Sequence, residues 1–239
     1  MSKIVLITGA ARGLGKEIAL KYVQENDTVI ITYLKNGKLA KKMQQDFWQN
    51  YHQKIMICKC DITKSLQIKR LKNLIMKKFG KLDILINNAN YEMDNDIYHK
   101  TSQEFLKVIK TNILGNFLMV KYLSPLLKNG QIINISSLDA ESTYQEINLD
   151  YSASKAAVNN LTKNYAQIFP NIKTCALMLP WLKTESTLEM NPIYLKEQLL
   201  KNKQKALIEP QEVARLIYNL TNKATYESGK IFKMEDINE

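Results

Sequence analysis

The chain is 239 residues long, which suits one α/β domain better than two. Its 45% hydrophobic and 24% charged content is that of a globular protein with a substantial core, and no apolar run reaches the roughly 18 residues that span a bilayer. The formal net charge of +11 has two readings: attraction to acidic partners such as nucleic acid, anionic lipid or an acidic carrier protein, or a compositional bias of solvated lysines.

The first apolar run, Ile4–Thr8, passes straight into a glycine-containing turn and reads as a strand, not a secretion signal. Helical periodicity over Gly13–Glu25, a strand over Thr28–Tyr33 and a helix over Lys38–Tyr51 follow. The third strand, Lys54–Cys58, runs into Cys58-Lys59-Cys60. With Cys175 the cysteines number three, an odd count that makes no disulfide framework, and no second Cys/His pair stands at ligand spacing, so no metal is expected. Buried thiols in a reducing cytoplasm are the reading taken. Helix Ser65–Phe79, strand Leu82–Ile86, a long helix Ser102–Leu127, strand Gln131–Ile135, helix Tyr151–Ile168 and strand Lys173–Leu179 continue the alternation. Trp181–Lys205 breaks it, with a helical patch at Ile193–Lys203, before helix Pro210–Thr221 and strand Lys230–Met234.

Strands alternating with helices predict an α/β fold: a doubly wound parallel sheet of about seven strands with helices on both faces. No linker, repeat or low-complexity stretch divides residues 1–239. Right-handed crossovers put the carboxyl ends of the strands on one edge, where ligands bind. The segment at about 181–205 stands where a substrate lid would sit; its plain reading is a connecting helix. Lys41-Lys42, Lys77-Lys78 and the Lys201, Lys203 and Lys205 group fall in different segments without a nucleic-acid-binding signature. Solvated lysines are therefore favoured, and neither nucleic acid nor membrane is an expected partner.

The first strand ends in Thr8-Gly9-Ala10-Ala11-Arg12-Gly13-Leu14-Gly15, and a helix begins at once. Glycines let backbone approach a diphosphate, and the helix that follows offers unpaired N–H groups and a positive dipole end. Further along lie Cys60-Asp61-Ile62-Thr63, Asn87-Asn88-Ala89-Asn90, Thr111-Asn112, Ser136-Ser137 and Tyr151-Ser152-Ala153-Ser154-Lys155. This ordered set resembles the short-chain dehydrogenase/reductase family over almost the whole chain. Within the family it looks most like the 3-oxoacyl-carrier-protein reductases, with a pteridine or general carbonyl reductase as runner-up.

The resemblance implies a Rossmann-type domain that moves hydride between a nicotinamide cofactor and a carbonyl or alcohol carbon. It implies Asn112, Ser137, Tyr151 and Lys155 as the catalytic set. Cofactor contacts are implied at Thr8, Gly9, Ala11, Arg12, Gly13, Leu14, Gly15, Tyr33, Lys35, Asp61, Ile62, Asn88, Ala89, Pro180 and Thr184, with Tyr151 and Lys155 shared between the two roles. Lys155 would hold the nicotinamide ribose, and Asn112 would anchor a water linking Lys155 to solvent.

From the residues themselves, Tyr151 and Lys155 stand four apart on one helical face, so a neighbouring ammonium is expected to lower the phenol's pKa and fit it for acid–base work. Ser137 would stabilise the same developing oxyanion. Ser136 competes with it, and the gap from Ser137 to Tyr151 is one residue longer than usual, but the second serine of the pair is the family's position. Singly, such residues are a surface pair and a strand-end turn; together and in order they point to catalysis.

The second strand ends Ile31-Thr32-Tyr33-Leu34-Lys35 without an acid to hold a ribose diol, while Arg12 and Lys35 reach the same corner. That favours NADP(H) over NAD(H). There are departures from the family. Pro180-Trp181 replaces Pro-Gly, so an indole would narrow the pocket or push the loop outward; Asn90 replaces a glycine; and Ser228-Gly229-Lys230 lacks the usual ending. Lys128 matches a basic carrier-binding position, but Pro170 occupies the second. A small-molecule or carrier-bound acyl substrate, a cytoplasmic location and a homodimer or homotetramer packed through the Ser102–Leu127 and Tyr151–Ile168 helices complete the expectation. A non-catalytic NADP(H) sensor or scaffold is the rival from outside the enzyme class.

Overall fold

The computed structural model describes residues 2–141, 146–222 and 225–234. Seven parallel strands form one sheet: β1 (Ile4–Ile7), β2 (Thr28–Tyr33), β3 (Met56–Lys59), β4 (Ile84–Asn87), β5 (Gln131–Ser137), β6 (Lys173–Leu179) and β7 (Lys230–Lys233), in the order β3-β2-β1-β4-β5-β6-β7. The chain winds outward from β1 to β3, then returns to lay β4 on the other side of β1. The crevice of the fold therefore opens where the carboxyl ends of β1 and β4 diverge.

β1 shows why the sheet is covered twice. Val5 and Ile7 join one core cluster with Ile18, Tyr22 and Ile217, while Ile4 and Leu6 join another with Ile68, Leu71 and Leu118. Alternate residues of a strand point to opposite faces, so an unbroken apolar run satisfies two helical layers at once. The first layer holds α1 (Gly13–Gln24), α2 (Gly37–Tyr51) and α9 (Pro210–Asn222). The second holds α3 (Ser65–Phe79), α5 (Asn116–Leu123) and α6 (Leu149–Ile168), with α4 (Ser102–Ile109) packed against α6.

The structure corrects three sequence-based boundaries. β3 lies two residues later than its apolar run began, because the ladder with β2 pairs Ile30 with Met56 and Tyr33 with Lys59. β5 continues past Ile135 to Ser137, which pairs with Leu179 of β6, so the strand carries both serines. The long helix is interrupted: Lys110–Gly115 forms a π turn between α4 and α5, and the segment ends in a 3-10 turn at Ser124–Leu126, where Pro125 supplies no N–H. The Trp181–Lys205 segment contains two helices, α7 (Glu185–Leu188) and α8 (Pro192–Lys201).

Candidate active site

A cleft of about 600 Å³ runs along the carboxyl edge of the sheet. One wall is the turn after β1, where Gly9, Ala11, Arg12, Gly13, Leu14 and Gly15 all line the cavity. Gly9 has φ +65, and a Cβ there would lie 2.8 Å from Ala89 Cα; a Cβ on Gly15 would lie 2.7 Å from both Ala10 Cα and Asn88 Nδ2. The turn is thus locked against the loop after β4. Asn88 Nδ2 donates to the Thr8 and Gly9 carbonyls at 2.9 and 3.3 Å, and the Thr8 hydroxyl accepts from the Asn88 and Ala89 amides at 3.0 and 2.9 Å. Thr8 itself is buried behind the wall and does not line the cleft. No side chain caps α1 and its first turn carries no acid, so its amino end stays available to an anion.

At the far corner Tyr33, Lys35 and Arg12 line the cleft. Lys35 and Arg12 are exposed, and neither forms an ion pair with another described residue. Asp61 and Ile62 also line the cavity, but the Asp61 carboxylate is turned into its own loop, accepting from the Thr63 amide and hydroxyl at 2.9 and 2.7 Å.

At the opposite end stand Ser137, Tyr151 and Lys155. Ser137 and Asn90 hydrogen-bond the Tyr151 phenol. Ser136 instead turns its hydroxyl to the Lys155 carbonyl at 3.4 Å. Lys155 is 3% exposed, and its ammonium donates to the Ile135 carbonyl at 2.9 Å. Burial lowers its pKa to about 8, against the pull of the Glu92 and Asp139 carboxylates. The Tyr151 phenol departs from the expected direction: burial, then Glu92 and Asp139, raise its pKa well above the ordinary value. Helical spacing alone foresaw the ammonium and missed the two carboxylates.

Asn112 lies in the π turn, buried behind Tyr91 and outside the cleft lining. Its Oδ1 accepts from the Tyr91 amide at 2.8 Å, while Nδ2 donates to the Tyr91 carbonyl and the Ser154 hydroxyl, both at 2.9 Å. One side chain of the π turn is therefore tied to both the loop after β4 and α6.

Pro180, Trp181 and Thr184 close the top. Trp181 is held by its backbone: its amide donates to Gln204 Oε1 at 2.9 Å, and its carbonyl accepts from Gln204 Nε2 at 2.7 Å. Thr184 caps α7, accepting from the Thr187 amide at 3.4 Å. Sequence reasoning missed Glu92, Asp139 and Asn148, all of which line the cleft. The signal was available, because Glu92 and Asp139 follow closely on the carboxyl ends of β4 and β5, where this architecture places its ligands.

The sequence pattern of the short chain dehydrogenases matches residues 3–192. The chain belongs to the short-chain dehydrogenase/reductase family. Its glycine cradle and uncapped α1 fit the family's dinucleotide. It is 29% identical to the 3-oxoacyl-(acyl-carrier-protein) reductase FabG of Thermotoga maritima, over 98% of this chain and 96% of that protein. It is 28% identical to glucose 1-dehydrogenase 2 of Bacillus subtilis, over 95% and 91%. A solved structure described as ElxO with NADP bound is 30% identical, with a TM-score of 0.83 over 98% of this chain and 97% of that one. This member of the family is thus an oxidoreductase with a nicotinamide-cofactor fold, similar to proteins named for different substrates.

Proposed function

We propose that the chain reduces a carbonyl to an alcohol with NADPH, Tyr151 giving the proton. The observation that carries this reading is the layout of one cleft: an anion-ready turn and two cations without an ion pair among the described residues at one end, and Ser137, Tyr151 and Lys155 converging at the other. Bound NADPH supplies the hydride. Gly9, Ala11, Arg12, Gly13, Leu14 and Gly15 hold its diphosphate, with Thr8 bracing the turn from behind. Arg12, Lys35 and Tyr33 take the 2′-phosphate, Asp61 and Ile62 the adenine side, Asn88 and Ala89 the middle, and Pro180 and Thr184 the carboxamide. Tyr151 and Lys155 hold the nicotinamide ribose.

The Ser137 hydroxyl, which donates to Asp139 Oδ2 at 3.2 Å in this structure, turns with Tyr151 to hydrogen-bond the substrate carbonyl oxygen. The raised phenol pKa keeps Tyr151 protonated at neutral pH, the form a proton donor needs, and its proton passes to the alkoxide as that charge develops. Lys155 refills the phenol's proton. Both amide hydrogens of Asn112 are committed, which leaves acceptor capacity on its oxygens for the water that links Lys155 to solvent.

A 3-oxoacyl thioester is the acceptor supported by the likeness to FabG and by the net charge of +11; a pteridine or other carbonyl is the alternative. A non-catalytic sensor has no use for the converged phenol and ammonium. For assembly we propose a homodimer or homotetramer, supported by Phe105, Leu106, Leu114 and Phe117, which leave an apolar face exposed along α4, the π turn and α5. A cytoplasmic location agrees with Cys60 and Cys175, whose thiols burial pushes up to about 11 and about 12, into an unreactive range.

NADPH oxidation against acetoacetyl thioesters, diketones and pterins tests the reading. Tyr151→Phe should cost about 10²–10⁴-fold in turnover while NADPH binding survives. A fully active Phe variant would overturn the proton donor.

A further inference from the structure

Carboxylates gather at the catalytic end of the cleft, beside the cations of Lys107 and Lys155. Glu92 comes in the loop beyond β4 and Asp139 two residues beyond Ser137, and both line the cavity beside Tyr151. Asp94 from the same loop and Glu146 from the approach to α6 add to the field, since all four carboxylates act on the Tyr194 phenol of α8. The Glu92 carboxylate forms no hydrogen bond or ion pair with any other described residue. Glu92 is exposed; desolvation and the like charge of Asp94 raise its pKa, the Lys155 ammonium lowers it, and Asp139 raises it again.

Two neighbouring cations, Lys155 and Lys107, are held by neutral hydrogen-bond acceptors, and a third, Lys100, by a carboxylate. Lys155 is tied to the Ile135 carbonyl; Lys107 lies 4.0 Å from the centre of the Tyr91 ring and donates to its hydroxyl at 2.9 Å; Lys100 is buried in an ion pair with Asp150 at 2.7 Å. A second, independent feature lies on the same wall. Asn148 lines the cleft and is 4% exposed, yet its Oδ1 accepts no hydrogen bond from any described residue. A buried acceptor without a donor is costly, and a ligand N–H relieves it.

We infer that the carbonyl substrate carries a protonated amine, which docks between Glu92 and Asp139 with Asn148 Oδ1 as a further acceptor while the carbonyl faces Tyr151 and Ser137. The inference rests on the carbonyl-reductase reading and, within it, favours a cationic carbonyl compound over the uncharged acyl end of a 3-oxoacyl thioester.

The test uses three ketones of one skeleton, bearing at the same distance from the carbonyl an ammonium, a hydroxymethyl or a carboxylate, each assayed with NADPH. The expected order of kcat/KM is ammonium, hydroxymethyl, carboxylate. At low salt each step is about tenfold or more, and the gaps narrow as ionic strength rises. Glu92→Gln lowers the ammonium-to-hydroxymethyl ratio about tenfold, and Asp94→Asn, a second and more peripheral variant, lowers it less. Equal kcat/KM across the series, or preference for the hydroxymethyl or carboxylate ketone, overturns the inference and leaves the reductase reading standing. Failure to reduce any of the three, by an enzyme that binds NADPH, overturns the reductase reading and the inference with it.

Discussion

Lys155 holds its ammonium 5.3 Å from the centre of the Tyr151 ring and gives its hydrogen bond to the Ile135 carbonyl, not to the phenol. The pair is therefore a protonated phenol beside a buried ammonium whose own proton is weakly held. Burial brings the Lys155 pKa from 10.5 to about 8. Reduction should fall as pH rises through about 8, along a one-proton limb in the kcat profile. Stability should move the other way. Between about pH 8 and 10.5 the unfolded chain holds a proton that the folded chain has released, so folding is favoured as pH rises through that window. Parallel pH–rate and denaturation series check both signs; a flat rate profile to pH 10 would remove Lys155 from proton supply.

Much of this site was legible because its parts follow strand ends. The turn from Thr8 to Gly15, the Asn88-Ala89 pair, Ser137 and the Tyr151–Lys155 spacing each sit at a sequence-visible boundary between strand and helix. The strand boundaries at β3 and β5 were hidden because partner strands, not local apolar runs, decide where a ladder stops. The π turn was hidden because its side-chain ties, from Asn112 to Tyr91 and Ser154, are long-range and leave no trace in helical periodicity. The phenol's pKa direction was missed for a similar reason. Burial, its largest cause, followed by the Glu92 and Asp139 carboxylates at the strand ends, is not carried by helical spacing.

Asn112 makes three side-chain hydrogen bonds from a position 3% exposed to solvent. Asn112→Leu keeps the volume and removes all three, leaving the Tyr91 amide without its acceptor. At about 0.5–1.5 kcal/mol for each bond, the loss in unfolding free energy should be about 2–4 kcal/mol. Denaturant unfolding measures it. A loss below about 0.5 kcal/mol would mean that the tie between the β4 loop and α6 does not depend on this amide.

Gly15 gives a sharper test of the nucleotide wall. A methyl there meets Ala10 backbone and the Asn88 amide, both at 2.7 Å, so either the turn opens or Asn88 leaves the Thr8 and Gly9 carbonyls. Gly15→Ala should weaken NADPH binding at least about tenfold, since the backbone that cradles the diphosphate is displaced. Fluorescence titration with NADPH reads this directly, and unchanged affinity would show that the diphosphate does not lie along this turn.

The choice between phosphorylated and plain cofactor turns on Arg12 and Lys35. Both line the cleft without an ion-pair partner among the described residues, and Asp61, an acid of the same lining, spends its carboxylate on Thr63. A 2′-phosphate placed there gains a guanidinium fork and an ammonium; NADH offers only a hydroxyl in the same place. Charge-assisted hydrogen bonds contribute about 1.5–3 kcal/mol each, so Arg12→Ala should weaken NADPH by about 10–100-fold and leave NADH nearly unchanged. Lys35→Ala should act in the same direction but less, because a flexible ammonium lacks the planar fork. The double variant should bring the two cofactors close to parity. Equal losses for NADPH and NADH in Arg12→Ala would instead place the guanidinium over the diphosphate, which both cofactors share.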